Sequence, residues 1–114
     1  MADTSLLQGT LDGLILKALT WGPRHGYAVA RWLKDTSEET LEVEDRALYV
    51  ALHRLEERGL VESSWGLSEA NRKAKYYRLT AAGRAERSRE RERLIGYANA
   101  IIRVFDATEW EPAR

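Results

Sequence analysis

Cysteine is absent from the chain, which excludes a disulfide scaffold and any thiolate metal site. Long apolar runs are missing too: no stretch approaches the roughly 18 residues needed to span a bilayer. The opening segment MADTSLLQGTLDG has no basic region followed by an apolar one, so no secretory signal is expected and the protein is expected to be soluble and cytoplasmic. Net charge is zero, with 18 Lys and Arg against 18 Asp and Glu. A protein whose only task is to coat nucleic acid is strongly basic, so any phosphate contact here must rest on local charge. No glycine-rich phosphate loop and no nucleophile-and-base signature occurs. Catalysis therefore has no supporting constellation, and no cofactor is expected. The two histidines, His25 and His53, fall on different expected helices with no cysteine near either, so a metal site is not expected.

What is present supports one packed domain. Hydrophobic residues make up 44% of a chain of 114 residues, enough for one core with one helix beyond it. The charge is unevenly spread. Residues 1–59 carry a net −3, residues 60–79 a net +2 and residues 80–114 a net +1. The positive charge is thus most concentrated near position 75.

Leu11, Leu14, Ile15, Ala18 and Leu19 recur at helical spacing, with Thr10 placed to cap. Trp21-Gly22-Pro23 ends that helix. A second helix is expected over 25–35, with Tyr27, Ala30 and Leu33 turned inward. After the polar connection TSEETLEVE, Asp45 can cap a third helix. There Leu48, Ala51, Leu52 and Leu55 share about 100° of arc. Arg46, Val50, His53 and Glu57 fall opposite, with Tyr49 and Arg54 on the flanks, and Gly59 is placed to stop the helix. Strands are expected over 60–65 and 75–79, joined by the polar loop 66–74. Thr80 can cap a last helix running to about residue 106.

Three helices, a hairpin and a long helix describe a mainly α chain with a small β-hairpin, an α+β fold. The layout is that of a winged helix-turn-helix (residues 1–80) followed by a long C-terminal dimerisation helix (residues 81–114). Such folds place the third helix in a DNA major groove. Arg46 suits phosphate or guanine edges, and Val50 and the Tyr49 ring suit thymine methyls. His53 and Arg54 can reach base edges or phosphates. Arg72, Lys73 and Lys75 would lie along the flanking backbone, fixing position without reading sequence.

Three segments carry a resemblance: LLQGTLDGLILKALTWGPRHGYAVARWL, VEDRALYVALHRLEERGLVESSWG and RKAKYYRLTAAGR. They contain G-T-L-D-x-L-I-L-K, G-P-x-H-G-Y, L-Y-x-A-L-x-R-L-E and R-K-x-Y-Y-x-L-T-x-x-G in order. The chain resembles the PadR-type transcriptional regulators over about residues 6–84, within the subgroup that has a single short C-terminal helix. The resemblance implies a homodimeric repressor that binds a near-palindromic operator and dimerises through its last helix. It implies DNA contacts at Arg46, Ala47, Tyr49, Val50 and His53, at His25 and Tyr27, and at Arg72, Lys73 and Lys75. Many members have Gly-Ser where this chain has Arg46-Ala47, Pro where it has Val50, and a basic residue where it has Gln8. An operator known for other members therefore does not carry over.

The last helix has two halves. Residues 84–93, RAERSRERER, read as a solvated stretch with Glu86–Arg89 and Glu90–Arg93 pairs. Leu94, Ala98, Ile101 and Phe105 then recur at 4-3-4 spacing, widened by Ile95 and Ile102, which is a partner-helix seam. The resemblance also implies a small aromatic effector, for which Tyr97, Phe105 and Trp110 would line a pocket between subunits; the plain alternative is that these aromatics only pack the seam. The rival reading is a winged helix that docks onto a protein. It draws on the zero net charge and predicts DNA binding without steep salt dependence.

Overall fold

The computed structural model describes residues 10–110. The start of the LLQGT motif, with Gln8, and the last four residues of the C-terminal segment lie outside them. The first helix, α1 (Leu11–Ala18), buries Leu11, Ile15 and Leu16 on one stripe. Thr10 occupies its N-cap position, but the Thr10 side chain makes no capping bond to it. The chain then forms a two-residue strand, β1 (Arg24–His25), and enters α2 (Gly26–Thr36). The stripe that α2 buries is Gly26, Val29 and Leu33, with Ala30 half-buried. Tyr27 lies a further 100° round the helix from Gly26 and is exposed. The expectation that Tyr27 faces inward is therefore corrected.

Helix α3 (Asp45–Glu57) buries the four expected residues, Leu48, Ala51, Leu52 and Leu55. Its cap is not Asp45, which is the first helical residue. Glu44 holds the N-cap position without a side-chain bond. At the other end Gly59 takes the left-handed conformation, φ +73°. Gly59 N donates to Glu56 O at 3.0 Å and Leu60 N donates to Leu55 O at 3.0 Å. This double bond pattern satisfies two terminal carbonyls, and the buried Leu55 and Leu60 accompany it.

The hairpin is longer than expected. Strands β2 (Val61–Leu67) and β3 (Lys73–Leu79) pair antiparallel from Val61↔Leu79 to Leu67↔Lys73. Lys73 therefore lies on a strand, not in the loop, and Lys75 stands on β3 as expected. The sheet has a third strand, because β1 pairs with the other edge of β3 through Arg24↔Tyr77 and His25↔Tyr76. Two residues are too few for alternation to announce a strand. One sheet face supplies Val61 and Tyr77 to the core beneath the three helices.

Helix α4 (Ala81–Phe105) starts as the sequence implies: Gly83 N donates to Thr80 Oγ1 at 3.0 Å. The start is also locked to the α3–β2 corner. Thr80 N donates to Leu60 O at 3.1 Å, and Thr80 Oγ1 donates to Gly59 O at 2.7 Å. Gly83 is buried there because a Cβ on it would lie 2.0 Å from Leu60 O. The first half of α4 is not wholly solvated. Arg87 Nη1 donates to Thr20 Oγ1 at 3.0 Å. The Glu86 and Glu90 side chains are only 16% and 15% exposed. Gly13 of α1 admits this close approach, since a Cβ there would sit 3.0 Å from Glu90 Cβ. The expected Glu86–Arg89 and Glu90–Arg93 pairs form, at 2.7 and 2.9 Å. The second half of α4 leaves the domain and stretches the molecule to 60 Å.

Candidate nucleic-acid interface

Helix α3 presents Arg46, Ala47, Val50 and His53 to solvent. Burying Leu48, Leu52 and Leu55 dictates this, because the opposite face must turn outward. Val50 is 55% exposed. Arg46 has no ion-pair partner among the described residues, so its guanidinium donors are available. His53 Nε2 lies 3.6 Å from Glu57 Oε2 on the exposed side. Tyr49, on the α2 flank, fills the space over Gly26, where a Cβ would meet the Tyr49 hydroxyl at 2.6 Å.

Arg54 is placed differently from its sequence reading. Its guanidinium bonds both carboxylate oxygens of Asp12 on α1, and this pairing holds its pKa above the usual arginine value. Arg58 bridges the same Asp12 to Glu86 of α4, at 3.7 and 3.5 Å. Arg54 thus ties α3 to α1 and stands off the outer face.

The start of α2 is set by His25. Its Nδ1 accepts from Ala28 N at 3.1 Å, capping the helix. Its ring meets the Tyr76 ring edge-on, with centroids 5.3 Å apart. Tyr27 is exposed beside it, and its hydroxyl accepts from Arg31 Nη1 at 3.4 Å.

The wing turn is braced by Ser68. Its N donates to Arg72 O at 2.8 Å, its Oγ accepts from Arg72 N at 3.3 Å, and Asn71 takes φ +60°. Arg72 is exposed with no ion-pair partner among the described residues. Lys73 holds its ammonium 4.9 Å from the centre of the Trp65 ring. Lys75 is half-buried, pairs with Glu56 at 3.7 Å and lies over Tyr77 at 5.8 Å. Its charge is largely spent inside the domain.

A cleft of about 1040 Å³ opens between α2, Tyr49 and the wing. His25, Tyr27, Tyr49, Arg72, Lys73 and Lys75 all line it. So do Arg24 and three tryptophans, Trp21, Trp32 and Trp65, which the sequence reading left out. Their convergence depends on β1 bringing Arg24 beside Tyr77, and no local pattern signals that.

The model of the transcriptional regulator PadR-like family matches residues 15–89. The chain belongs to this family. Among solved structures, this PadR-like chain is similar to a transcriptional regulator from Clostridium thermocellum. Identity is 26% and the TM-score 0.78, over 91% of this chain and 100% of that one. It is similar to a PadR family transcriptional regulator from Eggerthella lenta at 28% identity and a TM-score of 0.75, over 91% and 88% of the two chains. It shares its fold with Bacillus subtilis PadR, solved in complex with operator DNA, at 18% identity and a TM-score of 0.62. That match covers 91% of this chain but only 51% of the Bacillus protein. The fold is a winged helix. No helix among the described residues is long and apolar enough to cross a membrane.

The seam residues expected on α4 behave unequally in the single PadR-like chain. Leu94 is half-buried, and a Cβ on Gly13 would come within 3.3 Å of it. Ile95, Ala98, Ile101, Ile102 and Phe105 are all exposed. Tyr97 and Trp110 are exposed as well.

Proposed function

We propose that the protein is a homodimeric transcriptional repressor that binds a near-palindromic operator on double-stranded DNA. The observation that carries this reading is the outer face of α3. It is exposed, Arg46 has no ion-pair partner among the described residues, and Val50 is 55% exposed. Arg72 and Lys73 stand beside it on the wing, without a carboxylate partner among the described residues. Arg46 reads guanine edges, Val50 and Tyr49 meet thymine methyls, and Ala47 allows close approach. Tyr27, Arg72 and Lys73 hold phosphates. His25 contributes through Nε2, its other nitrogen being spent on the cap. Lys75 plays a smaller part because Glu56 holds it.

Residues 81–114 form the dimerisation unit beyond the winged-helix domain of residues 1–80. Ile95, Ala98, Ile101, Ile102 and Phe105 meet their counterparts on a second copy, continuing the stripe from Leu94. Two reading heads then face half-sites about 10–10.5 bp apart, or a multiple of that. Repression follows from occupying a promoter. A small aromatic effector held near Tyr97, Phe105 and Trp110 would act by shifting the spacing of the heads.

Selection from random duplexes, followed by a salt titration on the winner, tests this. A palindromic winner is expected, with log K falling linearly against log salt. The Arg72→Ala, Lys73→Ala double variant should lower the slope by about 2, at about 0.9 per phosphate contact. No enrichment, with weak salt-insensitive binding to every duplex, would replace this reading with a protein-docking module.

A further inference from the structure

We propose that Asp12, Arg58 and Glu86 form a strut that fixes the angle between the reading helix α3 and the arm α4, and so selects the spacing of the two half-sites. The proposal rests on the DNA reading above. In a dimer held by α4, each reading head stands where its own arm directs it. The α3–α4 corner is pinned where Thr80 N donates to Leu60 O and Thr80 Oγ1 donates to Gly59 O. One pinned place sets a position but leaves a direction free. A second link, away from the corner, sets the angle.

Three side chains supply that link. Glu86 follows Thr80 by two-thirds of the way along the first half of α4, about 9 Å at the helical rise. Arg58 Nη2 reaches Glu86 Oε2 at 3.5 Å, and Arg58 Nη1 reaches Asp12 Oδ2 at 3.7 Å. Asp12 in turn accepts from Arg54, one helical turn back along α3. Asp12 stands in the first turn of α1 beside Gly13, where α1 and α4 approach: a Cβ on Gly13 would meet Glu90 Cβ at 3.0 Å. Glu86 is also held from its own helix by Arg89 at 2.7 Å, so its carboxylate has little freedom to turn away. The Arg58 charge is felt at Glu90 too. That carboxyl is held below its ordinary value first by the Arg93 hydrogen bond and more weakly by Arg58.

Stability does not account for this arrangement. The Arg58 side chain is 47% exposed and both its contacts are long, and such pairs add little to folding. A basic residue at a helix C-terminus suits the helix dipole, but a lysine serves that purpose equally. Bridging carboxylates on two different helices uses both ends of a guanidinium fork. Apolar burial is non-directional, whereas charge-assisted hydrogen bonds have a direction and hold an angle. The length of α3 makes that angle matter. Arg46 lies about 18 Å along α3 from Arg58 at the helical rise. A rotation of about 10° at the corner moves Arg46 by about 3 Å, close to the step of about 3.4 Å between base pairs.

The test uses the full chain and duplexes that carry the selected half-sites with the spacer lengthened or shortened, plus a duplex with a single half-site. The parent should lose about tenfold in affinity for each base pair of spacer change. Arg58→Gln should reduce that loss to about threefold and weaken binding to the best duplex. Its affinity for the single half-site, its melting midpoint and its salt slope should match the parent's, since no phosphate contact is removed. Arg58→Lys, which keeps the charge but not the fork, should behave like Arg58→Gln. Glu86→Gln should flatten the spacing preference in the same way, and decides the matter where an Arg58 variant fails to fold. A preference as sharp as the parent's in Arg58→Gln and Glu86→Gln overturns the strut. So does an equal loss on the single half-site and the full operator. A slope lower by about 0.9 that Arg58→Lys restores makes Arg58 a phosphate contact and also overturns it. A second measurement needs neither DNA nor a dimer. The chain has no cysteine, so Ala47→Cys and Asn99→Cys, at exposed positions, place one spin label on α3 and one on α4. Dilution into unlabelled chain confines each pair to one protomer. The distance distribution should broaden in Arg58→Gln, and an unchanged one overturns the strut. Broadening in a protein that binds no duplex at any salt leaves the strut standing and sinks the DNA reading instead.

Discussion

Gly83→Ala is the sharpest test of how the two parts of the chain are joined. The added Cβ would lie 2.0 Å from Leu60 O, whereas a carbon–oxygen contact normally needs about 3.3 Å. The obstacle is backbone, so no rotamer change relieves it. The first turn of α4 must retreat by about 1 Å or more, given that contact distance. Two bonds open as it does, Thr80 N to Leu60 O and Thr80 Oγ1 to Gly59 O. Each is worth about 1 kcal/mol, and more where a buried carbonyl is left unpaired. Against this stands the helix-propensity gain of Gly→Ala, about 1 kcal/mol at most. The net expectation is a destabilisation of about 1–3 kcal/mol, and a thermal midpoint lower by about 5–15 °C. Gly96, in the same helix, is the control. A Cβ there meets nothing within 4 Å, and the position lies off the proposed seam. Gly96→Ala should raise the midpoint slightly through propensity alone. Both variants would be melted side by side by circular dichroism. Gly83→Ala melting at or above the parent, in step with Gly96→Ala, would refute the reasoning.

Gly26→Ala should act on function before stability. Its Cβ collides with the far end of the Tyr49 side chain, not with backbone, so the ring swings away and duplex affinity falls while the melting point holds within a few degrees. Ile101→Asp should convert a dimer to a monomer in light scattering, because a carboxylate in an apolar seam is left without a partner; a dimer of unchanged mass would count against the α4 seam. At high pH, burial and then nearby Glu56 push the Tyr77 hydroxyl above its ordinary value. The folded pKa exceeds the unfolded one, so this stability is complete below about pH 10 and fades as pH rises through the folded pKa. Tyr77→Phe should flatten the alkaline limb of a denaturation curve, and an unaltered limb would remove that cause. At the acid end, the hydrogen bond from Arg93 holds the Glu90 carboxyl below its ordinary value. Its contribution is present above the unfolded pKa and is lost as pH falls through the folded one. Glu90→Gln should therefore lose less stability than the parent between pH 5 and pH 3.

Much of the fold is legible in local pattern. The α3 core of Leu48, Ala51, Leu52 and Leu55 follows from helical periodicity. So does the outward turn of Arg46, Val50 and His53, since fixing one face of a helix fixes the other. The stop at Gly59 and the cap at Thr80 follow from backbone chemistry that few other residues satisfy as well. Family membership was legible too, because four short motifs stand in order. Tertiary structure decided the rest. Arg54 has the same local surroundings as a reading residue, and only the packing of α1 brings Asp12 to it. Lys75 reads as one more wing cation until the packing of α3 against the sheet sets Glu56 beside it. Residues 84–93 look solvated in sequence, but the gap at Gly13 lets Glu90 approach α1. The cleft of Trp21, Arg24 and Trp65 assembles across three elements, through a strand of two residues. Periodicity reports which way a side chain points from its own backbone; what it meets there is set by residues distant in the chain.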